Sequence, residues 1–171
     1  DEMPVIYNQN LQKYESAIAT GVNSFRRSDI LASFNNLEPR ISFVYLLDNQ
    51  TSIKASYNRM AQYFHLLSNT ASPTPLDIWA PSGSFIKPQL LDQFAVGYFK
   101  NIKEGLYSLE TEVFYKDIQN RIDYINGANL VANNKIETVI LNGKARAYGL
   151  EALFRKNEGK LKGWIAYTLS R

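Results

Sequence analysis

The chain has no cysteine among its 171 residues, which rules out disulfides, thiolate metal sites and a cysteine nucleophile. A cysteine-free chain fits an oxidising compartment as well as the cytosol, so location stays open on this ground. His65 is the single histidine, too few for an imidazole-based metal centre. An excess of charge of one sign is also lacking: 19 Lys and Arg against 16 Asp and Glu leave a net charge of +3. The two signs alternate along the chain, which offers no basic surface for nucleic acid. No charged-then-apolar segment opens the sequence, so a leader is read as absent or removed. No window approaches the roughly 18 apolar residues of a membrane-crossing helix. That exclusion does not touch crossing by strands, whose hydropathy trace is far fainter. Glycine-rich phosphate loops, nucleophile elbows and zinc spacings are missing too, and no cofactor is expected.

What is present is aromatic and alternating. Eleven Tyr and nine Phe bring the aromatic share to 13%. Such residues favour strands, and Tyr suits surfaces that are apolar along the ring and wet at the tip. With 45% hydrophobic and 20% charged residues, the chain has the composition of a folded domain. In Leu106–Lys116 the odd positions are Tyr107, Leu109, Thr111, Val113 and Tyr115, while Ser108, Glu110, Glu112 and Lys116 fall on the even ones. This period of two is the mark of a strand with one apolar and one polar face. Arg40–Leu47, Thr51–Asn58, Asp92–Lys100, Ala147–Arg155 and Leu161–Ser170 repeat it. Six strands are therefore expected, each near the roughly 9–11 residues that a tilted strand needs to cross a bilayer.

The connections sort by length. Asp48–Gln50, Asn101–Gly105 and Asn157–Lys160 read as tight turns rich in Asn, Gly and charge. Between them stand long polar connections at 61–91 and 117–144, with residues 1–36 as a further outer loop or irregular lead-in. Within these, Ser68–Pro81 reads as irregular, Arg121–Ile125 and Ile136–Leu141 as strand extensions, and Leu11, Tyr14 and Ile18 have the spacing of a short helix. Strict alternation of short and long connections has no cause in a soluble sandwich. It is the rule in membrane barrels, which place short turns on the periplasmic side and long loops outside. The fold expected is all-β, with antiparallel up-and-down hairpins forming part of a transmembrane barrel over 37–171.

Several short motifs carry a resemblance. Pro39-Arg40 opens a strand that is followed, after a short turn, by Ala55-Ser56-Tyr57-Asn58-Arg59. Lys87-Pro88-Gln89 leads into Phe94–Phe99, Val113–Asn120 reads VFYKDIQN, and Gly143–Leu153 and Gly163–Ser170 read GKARAYGLEAL and GWIAYTLS. In this order and spacing they resemble the barrel of TonB-dependent outer-membrane receptors over residues 37–171. The resemblance implies an outer-membrane location in a Gram-negative bacterium and energised import of a scarce solute: a siderophore, a cobalamin-like cofactor or an oligosaccharide. It also implies a barrel of about 22 strands, closed by a plug on which an energy-coupling periplasmic protein acts. These 171 residues show no plug, and Asp1 and Arg171 read as boundaries inside a longer protein. The partners expected are outer-membrane lipid, that periplasmic protein and an extracellular solute.

Two sets of residues are candidates for function. Lys54, Glu110, Glu112, Glu151 and Arg155 fall on the polar faces and are expected to line the lumen, either as contacts for solute or plug or as a solvated wall. Glu110 and Glu112 share one strand face, but no pocket signature beside them suggests acid–base catalysis, and no enzyme is expected. Tyr63, His65 and Trp79, with Phe64, sit in the long loop 61–91. There they either stack on a ligand or pack the loop against its neighbours. Trp164 on a polar face reads as buried in lumen packing. The apolar stripe of Ile53, Tyr57, Val96, Tyr98, Leu109, Val113, Leu150 and Phe154 reads as facing lipid. The competing reading makes the same stripe the dry face of a soluble β-sandwich carbohydrate-binding module. An open six-stranded sheet kept without lipid is expected to curl or pair with another copy, since its edges and apolar face meet water.

Overall fold

A computed structural model describes residues 5–11, 13–18, 26, 29–68, 77–126, 128, 130 and 136–171. Among these the strands are β1 (Val5–Asn8), β2 (Lys13–Ser16), β3 (Arg40–Asp48), β4 (Thr51–Gln62), β5 (Phe64–Leu67) and β6 (Ile78–Pro81). They continue with β7 (Gln89–Ile102), β8 (Tyr107–Tyr124), β9 (Ile140–Lys156) and β10 (Gly163–Ser170), and a single 3-10 turn spans Ile136–Val139. The chain divides into two compact units. The strand unit comprises 37–60, 91–118 and 145–171, and the loop unit comprises 1–36, 61–90 and 119–144.

In the strand unit the pairing order is β3-β4-β7-β8-β9-β10. All six expected strands are present, and consecutive strands are neighbours, as in an up-and-down barrel wall. Register shows why the alternation matters. Ile41, Phe43 and Tyr45 of β3 stand opposite Tyr57, Ala55 and Ile53 of β4. Ile165, Tyr167 and Leu169 of β10 stand opposite Phe154, Ala152 and Leu150 of β9. On the other face Ser42, Val44 and Leu46 oppose Ser56, Lys54 and Ser52, and Trp164, Thr168 and Ser170 oppose Arg155, Glu151 and Gly149. On the apolar face like therefore meets like, and a slip of one residue would turn each apolar row to the polar face. The aromatic pairs Tyr57–Phe94, with ring centroids 4.9 Å apart, and Tyr107–Phe154, at 5.7 Å, bind the apolar face together.

The short turns are joined to one another. At the first, Gln50 N donates to Asp48 Oδ1 at 2.7 Å. At the second, Lys103, Glu104 and Gly105 all have positive φ, at 51°, 57° and 94°. Two L-residues in that region cost about 1–2 kcal/mol each, which the hairpin's twist repays by joining the strands tightly. Asn101 N donates to Gln50 O at 2.7 Å, and Asn157 Nδ2 reaches Gly105 O at 2.9 Å. All three short connections thus lie at one end of the strand unit. Close packing fixes Gly149 on the polar face: a Cβ there would lie 2.6 Å from the Leu169 carbonyl oxygen and 2.9 Å from the Phe114 ring.

The loop unit has the inside that the strand unit lacks. Leu67 and Ile140 are each 1% exposed and pack with Ile86, supported by Ile78, Ala80, Ile122, Tyr124 and Ile136. β5 and β6 form a separate antiparallel hairpin, and β1 and β2 form another, with Lys13 of β2 opposite Leu141 of β9. The short helix expected around Leu11–Ile18 is not formed at Lys13–Ser16, where pairing with β1 and β9 makes a strand instead. Arg121–Tyr124 does extend β8, whereas Ile136–Val139 is a 3-10 turn before the strand resumes at Ile140. Of the Ser68–Pro81 segment, residues 69–76 lie outside the described residues, and Ile78–Pro81 is a strand paired to β5 rather than irregular chain.

Candidate functional site

On the polar face of the strand unit, Glu110 and Glu112 of β8 and Glu151 of β9 come together in one shallow cleft of about 290 Å³, with Phe99 and Thr168 in its wall. Period-two geometry does this, since Glu110 and Glu112 are successive residues of one face and Glu151 stands opposite Thr168 on β10. Lys54 is not in that cleft. Its ammonium lies 4.1 Å from the centroid of the Phe99 ring, a cation–π contact on the same polar face. Arg155 is also apart, opposite Trp164 at the β9–β10 ladder. Trp164 itself is 67% exposed rather than buried. It sits on β10, which among the described residues pairs with β9 alone.

The loop-unit residues separate by the same alternation. In the β5–β6 ladder His65 faces Ala80 and Leu67 faces Ile78, while Phe64 faces Pro81 and Leu66 faces Trp79. The first face is the packed one. His65 is 5% exposed, its Nε2 lies 3.1 Å from Ser82 Oγ, and burial holds its imidazole below the usual histidine pKa. Trp79 is on the opposite face, 61% exposed, with its ring stacked on Phe64 at 5.8 Å and 28°. Tyr63 stands just before the hairpin, where its hydroxyl accepts a hydrogen bond from Asn36 Nδ2 at 3.1 Å. The three loop candidates are thus brought to one hairpin but not to one surface.

A cleft of about 540 Å³ borders this hairpin, within the size range of small-molecule sites. His65 and Leu66 form one wall, and Gln62, Gln89, Arg121, Asp123 and Tyr124 supply polar groups around it. Burial raises the Tyr124 phenol above its ordinary pKa, so it stays a neutral donor. Sequence reading missed these partners of His65 because they come from β4, β7 and β8, and no local spacing joins them. The one hint was Gln89 at the start of a proline-led strand. Among the described residues no group of three acidic or histidine side chains is placed to hold a metal ion. The arrangement can bind by stacking and by hydrogen bonding.

Comparison with known proteins places the chain beside one described family. The family model described as TonB dependent receptor-like, beta-barrel, covers residues 7–171. No curated protein and no solved structure matches the chain.

Proposed function

The chain belongs to the TonB-dependent receptor-like β-barrel family, and we propose that it forms part of the wall and outer loops of a receptor that imports a siderophore, a cobalamin-like cofactor or an oligosaccharide. Members of this family are outer-membrane receptors that transport solutes and do not make or break bonds. The observation that carries the reading is the match over 7–171, since it spans both the alternating strands and the long connections between them. It also sets aside the soluble carbohydrate-binding sandwich, because a membrane barrel needs an apolar face turned outward.

In this reading the apolar rows of the strand unit meet outer-membrane lipid, and Lys54, Glu110, Glu112, Glu151 and Arg155 line the lumen. The three short turns are periplasmic, and the loop unit stands outside the cell. Solute is gripped first by the loop unit, with the exposed Phe64–Trp79 pair as a stacking surface and the neighbouring cleft supplying hydrogen bonds. A periplasmic energy-coupling protein then acts through the plug, and the solute passes along the polar face. Tyr63 positions this hairpin through its hydrogen bond with Asn36, and His65, buried beside Ser82, forms part of the cleft wall.

The test is uptake by cells that carry the intact receptor, with and without the energy-coupling protein. Radiolabelled ferric siderophores, cobalamin and oligosaccharides are offered in turn. One class should accumulate, only in energised cells, and Trp79→Ala should weaken its binding by about tenfold, the worth of one stacking contact near 1.4 kcal/mol. Accumulation of none of the three, or accumulation indifferent to energy coupling, would sink the proposal. Loss of binding on Trp79→Ala equal to that of an unrelated exposed site would remove the hairpin from it.

A further inference from the structure

The apolar face of the strand unit is finished differently at its two ends. Towards the long connections, the rows that hold Tyr57, Phe94, Tyr115 and Tyr148 each run on into a charged residue of the same parity. Those charges cancel in pairs: Arg59 Nε lies 3.8 Å from Asp92 Oδ1, and Arg146 Nε lies 3.6 Å from Asp117 Oδ1. Towards the short turns, the β9 row of Leu150, Ala152 and Phe154 runs on into Lys156. Residues 156–162 carry three lysines and a single carboxylate, Glu158. Among the described residues neither Lys156 nor Lys162 is ion-paired. One rim of the apolar face is therefore neutralised, and the other keeps its positive charge.

At that positive rim lies a groove of about 340 Å³, with Phe154, Leu161 and Ile165 as its apolar lining and Lys156 and Lys162 beside them. Register explains its shape. Phe154 stands opposite Ile165, and at the next position of the same face Lys156 stands opposite Gly163. A Cβ at Gly163 would meet nothing within 4 Å, so the place across the ladder from Lys156 is open floor. The half-buried Lys156 leans to the turn: a Cβ at Gly159 would lie 3.7 Å from its Nζ. Its ammonium thus closes the turn end of the groove. The Phe154 ring, stacked on Tyr107 at 5.7 Å, forms the wall on the side of the sheet.

An apolar trough that opens onto an apolar sheet face and ends at two ammonium groups suits an amphiphile with a hydrocarbon chain and an anionic head. A soluble anion leaves Phe154, Leu161 and Ile165 in water. A zwitterionic lipid brings an ammonium of its own, which the two lysines repel. Lysines at a lipid border reach into the headgroup layer, where each draws negative charge. We propose that this groove holds an anionic phospholipid of the phosphatidylglycerol class, its acyl chain along Phe154 and Ile165 and its phosphate on Lys156 and Lys162. The inference rests on the reading that the apolar rows meet membrane. It goes further by naming the lipid and its leaflet, the periplasmic one, since the groove lies at the short turns.

The experiment uses the intact receptor in detergent, titrated with phosphatidylglycerol or with phosphatidylcholine of the same acyl chains. Retained lipid is counted by native mass spectrometry. One phosphatidylglycerol per receptor should be held about tenfold tighter than phosphatidylcholine. K156Q/K162Q should remove that difference and leave phosphatidylcholine unchanged, a split that a misfolded wall would not produce. Ile165→Ser should weaken both lipids alike. Lys103→Gln, at an exposed lysine of another short turn, should leave the preference within about twofold. A loss in Lys103→Gln as large as in K156Q/K162Q would reveal diffuse attraction to the whole rim and overturn the groove. Equal retention of the two lipids by the unaltered receptor, or retention of neither, would overturn it as well. Oxygen accessibility of spin labels at Leu109 and Val113 in nanodiscs tests the membrane reading separately, so the groove can fail while that reading stands.

Discussion

The two units solve opposite solvent problems with the same strands, for β4, β7, β8 and β9 contribute residues to both. The loop unit turns one set of large apolar side chains inward: Leu67, Ile86, Leu130 and Ile140 are buried, while Phe64 and Trp79 stay on its surface. In the strand unit the described buried residues are small, Thr51, Ala95 and Gly97, while Phe43 is 69% exposed, Val113 57% and Ile165 73%. An ordinary core made by the hydrophobic effect needs water outside. A wall with its apolar side chains exposed needs hydrocarbon there, since contiguous apolar surface in water drives association. What distinguishes the units is thus the medium each is built for, and perturbations should separate them.

The largest effect is expected at Gly149, which belongs to the strand unit. Any side chain there meets the Leu169 carbonyl oxygen and the Phe114 ring inside 3 Å. The β9–β10 ladder has no room to yield without losing hydrogen bonds, so Gly149→Leu should cost more than about 3 kcal/mol. The barrel should then fail to assemble, read as loss of the compact, heat-sensitive form on gels of the intact receptor. Assembly at the normal level would show that β9 and β10 can separate at this point, and the wall would be less tightly closed than Gly149 implies.

Next comes Leu67, at 1% exposure the counterpart in the loop unit. Leu67→Ala should cost about 3 kcal/mol through lost burial and a residual cavity. Hydrogen exchange should show the loss at β5, β6 and the start of β9, with the strand unit protected as before. A uniform loss across both units would mean that they unfold as one and that the division has no energetic content.

The third test places a charge on each face of one strand. Val113→Arg puts a cation on the apolar face of β8, and Glu112→Arg puts the same cation on the polar face one residue away. In a bilayer the first should cost about 2 kcal/mol and the second less than about 1. Spin-label accessibility along Leu106–Lys116 checks the same point without stability: oxygen contact should peak at Leu109, Thr111 and Val113 and dip at Glu110 and Glu112. Equal behaviour of both faces would mean that the strand unit packs against protein.

These tests also mark how far the sequence could be read. The strand unit was legible residue by residue, because a period of two is local and the ladder only has to respect it. Phe43 opposite Ala55 and Thr168 opposite Glu151 follow from alternation and turn position alone. Val44 and Leu46 are apolar residues on the polar face of β3, where they stand opposite Lys54 and Ser52. The loop unit was legible only in its residue types. His65 and Trp79 were both candidates, but the pairing of β5 with β6 decides which is buried, and that pairing crosses a long connection. Asn120 gave no signal for its positive φ of 56°, a property of packing rather than of local pattern. Tyr14 shows the reverse error: helical spacing over few residues loses to the hairpin that β1 and β2 can form.

The smallest effect expected is a dependence on pH confined to the loop unit. His65 is packed beside Leu67, and burial disfavours its charged form, so its pKa in the folded protein lies below the ordinary value of 6.5. The unfolded chain takes up a proton as pH falls through 6.5, and the folded hairpin resists doing so. The stability due to neutral His65 is therefore fully present above 6.5 and declines below it, as far as the lowered folded pKa. Carboxylates titrate mostly below about 4–4.5, so the interval between pH 6.5 and 5 belongs chiefly to histidine, and His65 is the chain's single one. Hydrogen exchange at β5 and β6, corrected for intrinsic rates, should show easier opening at pH 5.5 than at pH 7.5, while β7 to β10 of the strand unit stay unchanged. His65→Gln should abolish the difference while keeping a polar partner near Ser82. Should the difference persist in that variant, the hairpin's sensitivity would come from its carboxylates, and the burial of His65 would carry no weight in holding the hairpin closed.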